Sequence, residues 1–156
     1  MEKLISILLS KMNDKSACLN EIKSWRKISF DQSQKFNPKL GSDIKQIREV
    51  IREKTKFPLK GVYIYLDKNE VLYIGKTKRF SNAIHRHYNE AHKLGGDKKY
   101  QDFFSRHLKP IAIYFKEIDS NYSNDEIKNE ALRIILERMI IAGLRSSFDI
   151  ENPSIK

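Results

Sequence analysis

Residues 61–88 read GVYIYLDKNEVLYIGKTKRFSNAIHRHY, and this stretch decides the fold. Two short runs rich in β-branched and aromatic residues, Gly61 to Leu66 and Val71 to Ile74, flank the polar turn Asp67-Lys68-Asn69-Glu70. That pattern predicts a β-hairpin. In the first run Tyr63 and Tyr65 alternate with Val62, Ile64 and Leu66, so the tyrosines share one face. In the second, Val71 and Tyr73 alternate with Leu72 and Ile74. Gly75 permits a backbone turn where a Cβ would crowd. A basic helix is predicted next, from Lys78 or Arg79, with Phe80, Ile84, Tyr88 and Ala91 as its apolar stripe. On its other face Lys76, Arg79, Ala83, Arg86 and His87 fall in one column at about 3.6 residues per turn. A hairpin that merely packs its tyrosines into a core is the plain alternative.

Working outward, 156 residues suffice for one domain with a sizeable core, or a small domain with an extension. The formal charge of +10 favours a polyanionic partner, nucleic acid before membrane. A lysine-rich soluble surface is the bland reading of the same number. A single cysteine, Cys18, excludes an internal disulfide and a cysteine-based zinc site, and fits a reducing cytoplasm. No apolar run approaches the roughly 20 residues of a membrane span. Met1 to Met12 carries charges among its apolar residues and reads as a poor signal peptide.

Upstream of the hairpin three helices are expected. Leu4, Ile5, Leu8 and Leu9 mark one over 2–12. Leu19, Ile22, Trp25 and Ile28 mark a second over 16–28. Ile44, Ile47, Val50 and Ile51 mark a third, capped by Ser42 or Asp43 and running through Lys54. Ser29 to Gly41 reads as a loop. The first 60 residues hold 14 basic and 7 acidic side chains. Residues 1–58 are expected to form a helical extension packed on a core of 59–156. Phosphate contact, dimerisation and scaffolding are all open roles for it.

Downstream, Gly95-Gly96 breaks the basic helix. Lys98 to Leu108 is a further helical candidate, with Tyr100, Phe103, Phe104 and Leu108 apolar. Residues 76–109 carry nine basic and three acidic side chains. Lys76, Lys78, Arg79, Arg86, Lys98 and Lys99, interleaved with aromatic residues, suit phosphate contact plus packing against bases or sugars. Phe103 and Phe104 read better as core. Ile111 to Ile118 is a third strand, opened by Pro110. Ser123 with Glu126 makes a capping box for a helix ending near Gly143, with Ile127, Ala131, Ile134, Leu136, Ile140 and Ile141 apolar. Glu137 lies on that face, and a carboxylate there needs a reason. Mg²⁺ ligation is one, and Mn²⁺ would serve alike. A salt bridge with Arg133 is another, and Glu130 is the fallback ligand. His85, His87 and His92 make a weak zinc set, because His87 and His92 are poorly spaced for one ion.

The string Gly61-Val62-Tyr63, nine residues, Tyr73-Ile74-Gly75-Lys76-Thr77, then a helix bearing His87, resembles the GIY-YIG nuclease superfamily over roughly Lys60 to Asn152. The resemblance implies an α+β fold, a small three-stranded mainly antiparallel sheet flanked by helices. It implies a metal-dependent endonuclease acting on DNA, taken as double-stranded. Tyr63 would be the base or water-orienting group, Tyr73 its partner, Lys76 a charge-stabilising group, His87 a substrate contact and Glu137 the metal ligand. Asn152 before Pro153 is similar to the asparagine that closes the family core, although the usual preceding proline is absent.

One position departs from the pattern. The family places a phosphate-clamping arginine eight residues after the glycine of the second motif, and this chain has Ala83 there. An apolar side chain cannot replace a guanidinium in that role. Three explanations are open: a binder that has lost cleavage, charge supplied by Arg79 or Arg86, or a nuclease inactivated by replacement. The third is preferred because the rest of the constellation is intact. A non-cleaving nucleic-acid-binding protein and a ribonuclease are the rival functions. The compact chain argues mildly for restriction or phage-type cutting over homing.

Overall fold

A computed structural model describes residues 2–30, 60–80, 82–83, 86–87, 98–99, 102–103 and 111–151. The expected helix over 43–54, Gly95-Gly96 and residues His85, Tyr88, His92, Tyr100, Phe104 and Asn152 lie outside them. The chain divides into two compact units. One comprises 1–28, 60–77 and 112–156; the other comprises 29–59 and 78–111.

The class is α+β. Helices α1 (Glu2–Lys11) and α2 (Lys15–Lys23) precede strand β1 (Arg26–Phe30). The predicted hairpin follows as β2 (Gly61–Asp67) and β3 (Glu70–Thr77). Strand β4 (Ile111–Glu117), the long helix α3 (Glu126–Gly143) and the short α4 (Ser147–Glu151) complete the described elements. The sheet has four strands in the order β1-β4-β2-β3, with β2 antiparallel to both neighbours. The fourth strand corrects the three-stranded expectation. Helix α2 stops at Lys23, and Arg26–Phe30 pairs beside β4 instead of continuing the helix. Ladder hydrogen bonds on an otherwise open edge outweigh a short helical periodicity.

The hairpin turn is tight. Asp67 pairs with Glu70, leaving Lys68 and Asn69 between the strands. Lys68 takes φ 56°, a left-handed conformation that a Cβ disfavours. The register slips between Tyr65 and Leu66, so that Tyr65 faces Tyr73 while Leu66 faces Val71. The bulge absorbs Leu72, and Val71 joins Ile74 in the core instead of following Tyr73 as simple alternation predicts.

One face of the sheet makes the core. Val62, Ile64, Leu66, Val71, Ile74 and Tyr114 pack with Leu4 and Leu8 of α1, Leu19 and Ile22 of α2, Trp25, and Leu132, Leu136 and Ile140 of α3. The first 25 residues thus supply side chains to the same core as the hairpin. Helix α3 is rotated from its expected face. Asn129, Leu132, Arg133, Leu136 and Ile140 are buried, whereas Ile127 is 81% exposed and Ala131 is exposed. The buried line contains an arginine because its partners are built in. Arg133 donates through Nη1 to the Ile118 carbonyl at 2.7 Å, through Nε to Glu130 at 2.8 Å, and through Nη2 to Glu126. Lys60 lies 3.3 Å from Glu126, and Lys76 donates to Glu130 at 2.8 Å. These contacts tie the start of β2 and the end of β3 to α3. Glu126 therefore turns to Arg133, and the N-cap is Asp125, whose side chain accepts from the Ile127 N–H at 2.9 Å, not Ser123.

Replacing Lys68 by glycine removes a left-handed strain of about 1–2 kcal/mol and adds about 0.5–1 kcal/mol of chain entropy cost. Lys68→Gly is expected to raise the unfolding free energy by a net of about 0.5–1 kcal/mol, read as a higher urea midpoint. An unchanged or lower midpoint would show the turn to be unstrained.

Candidate functional site

The hairpin brings three tyrosines together on the sheet face opposite the core. Tyr63 and Tyr65 alternate with core residues along β2, and Tyr73 stands across from Tyr65. The Tyr63 and Tyr73 rings are stacked with centroids 5.9 Å apart. Tyr65 closes the triangle at 5.7 Å from Tyr63 and 5.8 Å from Tyr73. Phe148 of α4 meets Tyr73 edge-on at 5.2 Å. All three tyrosines are buried, with Tyr63 only 1% and Tyr73 8% exposed.

Both motif glycines are dictated by close approach. Gly75 stands across from Tyr63, and a Cβ there would lie 2.6 Å from both Cζ and Oη of Tyr63. The phenol occupies the place of the missing side chain. A Cβ on Gly61 would lie 2.0 Å from the Lys116 carbonyl oxygen of β4. Any larger residue at either position must move backbone or a packed aromatic ring.

Glu137 lies next along the same strand edge. It is half-buried on α3, and its carboxylate accepts a hydrogen bond from the Lys76 backbone N–H. Burial pushes its pKa up, and nearby Asp149 adds to this; Lys76 and Arg138 act in the opposite direction. Arg133 pairs with Glu126 and Glu130, not with Glu137, so the expected alternative for Glu137 is replaced. Among the described residues no lysine or arginine forms an ion pair with Glu137. Its carboxylate oxygens are of the kind that ligate a hard divalent cation, and among the described residues no cluster of three or more metal-ligating side chains gathers there. Glu130, the fallback ligand, is already engaged. Burial raises its pKa, but the hydrogen bonds from Lys76 and Arg133 outweigh this and hold it below the usual carboxylate range.

The remaining sequence-predicted residues divide. Lys76 stands across from Val62, so its ammonium is on the α3 side and is held by Glu130, away from the tyrosine face. In the second unit, Phe80, Asn82, Ala83, Arg86 and His87 are helical. Lys78, Arg79, Arg86, Lys98 and Lys99 are exposed. Phe80, Ala83 and His87 are buried, at 0%, 7% and 3% exposure. The single basic column expected from the sequence is therefore split. Arg79 and Arg86 face solvent, and Ala83 and His87 lie on the buried side. Burial, reinforced by the charge of Arg86, pulls the His87 pKa down to about 3. The ring is neutral at physiological pH and cannot act as a cation toward phosphate.

Compared with known protein families, with curated proteins and with solved structures, the chain matches none. The site therefore rests on its own geometry. Two participants were missed in the sequence. Tyr65 was visible through its alternation with Tyr63. Asp149 was not, because it is brought near Glu137 only by the short helix α4, where Ser146 Oγ caps its N–H at 3.2 Å.

Two outcomes are expected. Gly75→Ala should destabilise by about 1–3 kcal/mol through overpacking. Tyr63→Leu in the same chain should recover part of that loss, read as a favourable coupling energy in thermal unfolding; strict additivity would separate the two residues. For His87, the unfolded ring takes up a proton near pH 6.5 while the folded ring does not. Stability should be full above about pH 6.5 and fall as pH drops through that value toward 3. His87→Leu should flatten that decline in urea titrations at stepped pH.

Proposed function

We propose that this chain has the framework of a divalent-metal-dependent DNA endonuclease that hydrolyses phosphodiester bonds, impaired in this sequence by Ala83. The observation that carries the reading is local to one strand edge. The Tyr63 phenol rests on Gly75, Tyr73 stacks on it, and the Glu137 carboxylate accepts from the N–H of the next residue, Lys76. Two phenols and a lone acid are thereby gathered along residues 73–76 of β3.

The division of labour follows from the chemistry. Glu137 would hold Mg²⁺ or Mn²⁺, which when bound polarises a phosphate oxygen and offsets leaving-group charge. Tyr63 would orient or deprotonate the attacking water, and Tyr73 would fix the orientation of that phenol. Since both phenols are covered, substrate binding must open the tyrosine face before water can reach them. Exposed Lys78, Arg79, Arg86, Lys98 and Lys99 offer charge to the nucleic-acid backbone. The net charge of +10 serves the same attraction.

A second reading, nucleic-acid binding without cleavage, is favoured by particular features. Tyr63 and Tyr73 are buried, Lys76 is neutralised by Glu130, and no guanidinium stands at position 83. Among the described residues no helix is long and apolar enough to cross a membrane.

Cleavage of plasmid DNA, single-stranded DNA and RNA with Mg²⁺ separates the readings. Ala83→Arg is expected to cleave plasmid on the order of 10²-fold or more faster than the parent chain. Adding Glu137→Gln should abolish that gain. Glu137→Gln alone should leave thermal stability equal or higher at pH 7, because it removes a half-buried charge and keeps an acceptor for the Lys76 N–H. Its Mg²⁺-induced rise in melting temperature should vanish. Equal rates for the parent and a folded Ala83→Arg protein would favour the binding-only reading, and cleavage of RNA alone would make it a ribonuclease.

A further inference from the structure

The outward face of α3 carries an apolar stripe. Ile127 is 81% and Ile135 43% exposed, Ala131 is exposed, and Ile134 is half-buried beside them. Ile127, Ala131, Ile134 and Arg138 follow one another at steps of four, three and four residues. That is the spacing of a seam that accepts a second helix at a crossing angle of about 20°. A lone exposed isoleucine is ordinary, but a contiguous row on one helix face marks a contact surface.

Charge on this face has one sign. Lys128 and Arg138 flank the stripe and are exposed, and among the described residues neither forms an ion pair. Arg145, just past the helix C-cap, adds a further exposed cation. The acids of the helix are turned elsewhere. Glu126 and Glu130 are engaged by Arg133, and Glu137 accepts from the Lys76 N–H of β3. Phosphates would use the cations and leave the isoleucines in water, so a bare polyanion matches only half of the face. A basic partner, a second copy of this face included, would set like charges against each other.

We propose that the outward face of α3 docks an acidic amphipathic helix of another protein. The apolar residues of that helix pack on Ile127, Ala131 and Ile134, and its carboxylates meet Lys128 and Arg138. Ala131, small and central, lets the two helices approach closely. The contact is that of a single helix pair, so the complex is reversible and salt-sensitive. The inference does not rest on the cleavage reading.

The probe is a fluorescein-labelled peptide of three heptads, with leucine at the seam positions and glutamate beside them. Repulsion between its own glutamates opposes self-pairing at neutral pH. Fluorescence anisotropy with the full chain should show saturable binding that weakens as salt is raised. A peptide of the same composition with its leucines scrambled off one face, and a lysine-flanked version, should each bind weaker by on the order of tenfold or more. Ile127→Gln should weaken the glutamate peptide by about tenfold, and so should the pair Lys128→Glu with Arg138→Glu. These residues are exposed, and circular dichroism checks that the variants fold. Lys15→Glu with Lys27→Glu makes the same change of net charge at exposed positions of α2 and β1 and should leave binding unchanged. Absence of saturable binding overturns the proposal, as does a scrambled peptide that binds equally well. Indifference to Ile127→Gln also overturns it; joined to a loss of duplex DNA binding in the charge-reversed protein, it marks a phosphate site instead.

Discussion

The phenol of Tyr63 lies against the backbone of Gly75, with no room for a Cβ between them. That contact sets what the rest of the sheet can do. The ring can reach across only because the register places Tyr63 and Gly75 opposite each other. Tyr73 then finds a stacking partner, and Tyr65 closes the cluster. Gly61 answers the same constraint on the other side of β2, where the β4 backbone passes too close for any side chain. The two glycines are thus explained by packing, independently of any chemistry the tyrosines perform.

Arg133 supports the opposite face. A guanidinium with no exposure must have its charge matched, and Glu126, Glu130 and the Ile118 carbonyl do so. Lys60 and Lys76 extend the alternation of charge to both ends of the hairpin. This arrangement leaves Glu137 out of the ion pairs while holding its helix against β3. Glu137 is accordingly an acid with a raised pKa, one backbone donor and, among the described residues, no ion-pair partner. That is the environment in which a carboxylate serves a cation or a proton transfer better than it serves stability.

The sheet therefore separates two kinds of material. Aliphatic side chains from α1, α2 and α3 fill one face, and aromatic side chains gather on the other. Charge enters the aliphatic side through the matched Arg133, and Lys76, Glu130 and Glu137 gather where α3 meets β3.

The hairpin, the shared face of Tyr63 and Tyr65, the strand that begins at Ile111 and the long helix ending at Gly143 were legible in the sequence. Each follows from local alternation, glycine placement or helical spacing, which need no partner to be read. The buried face of α3 was set by packing. Isoleucines surround that helix, so periodicity points to Ile127 and Ala131, while Arg133 goes inside because Glu126 and Glu130 of its own helix and the Ile118 carbonyl satisfy it. Only tertiary pairing turned Arg26–Phe30 into a strand and slipped the register at Leu72. The same holds for the basic column, which burial divided into exposed Arg79 and Arg86 and enclosed Ala83 and His87. Burial and charge pairing depend on residues far apart in the chain, and one-dimensional spacing carries no record of them.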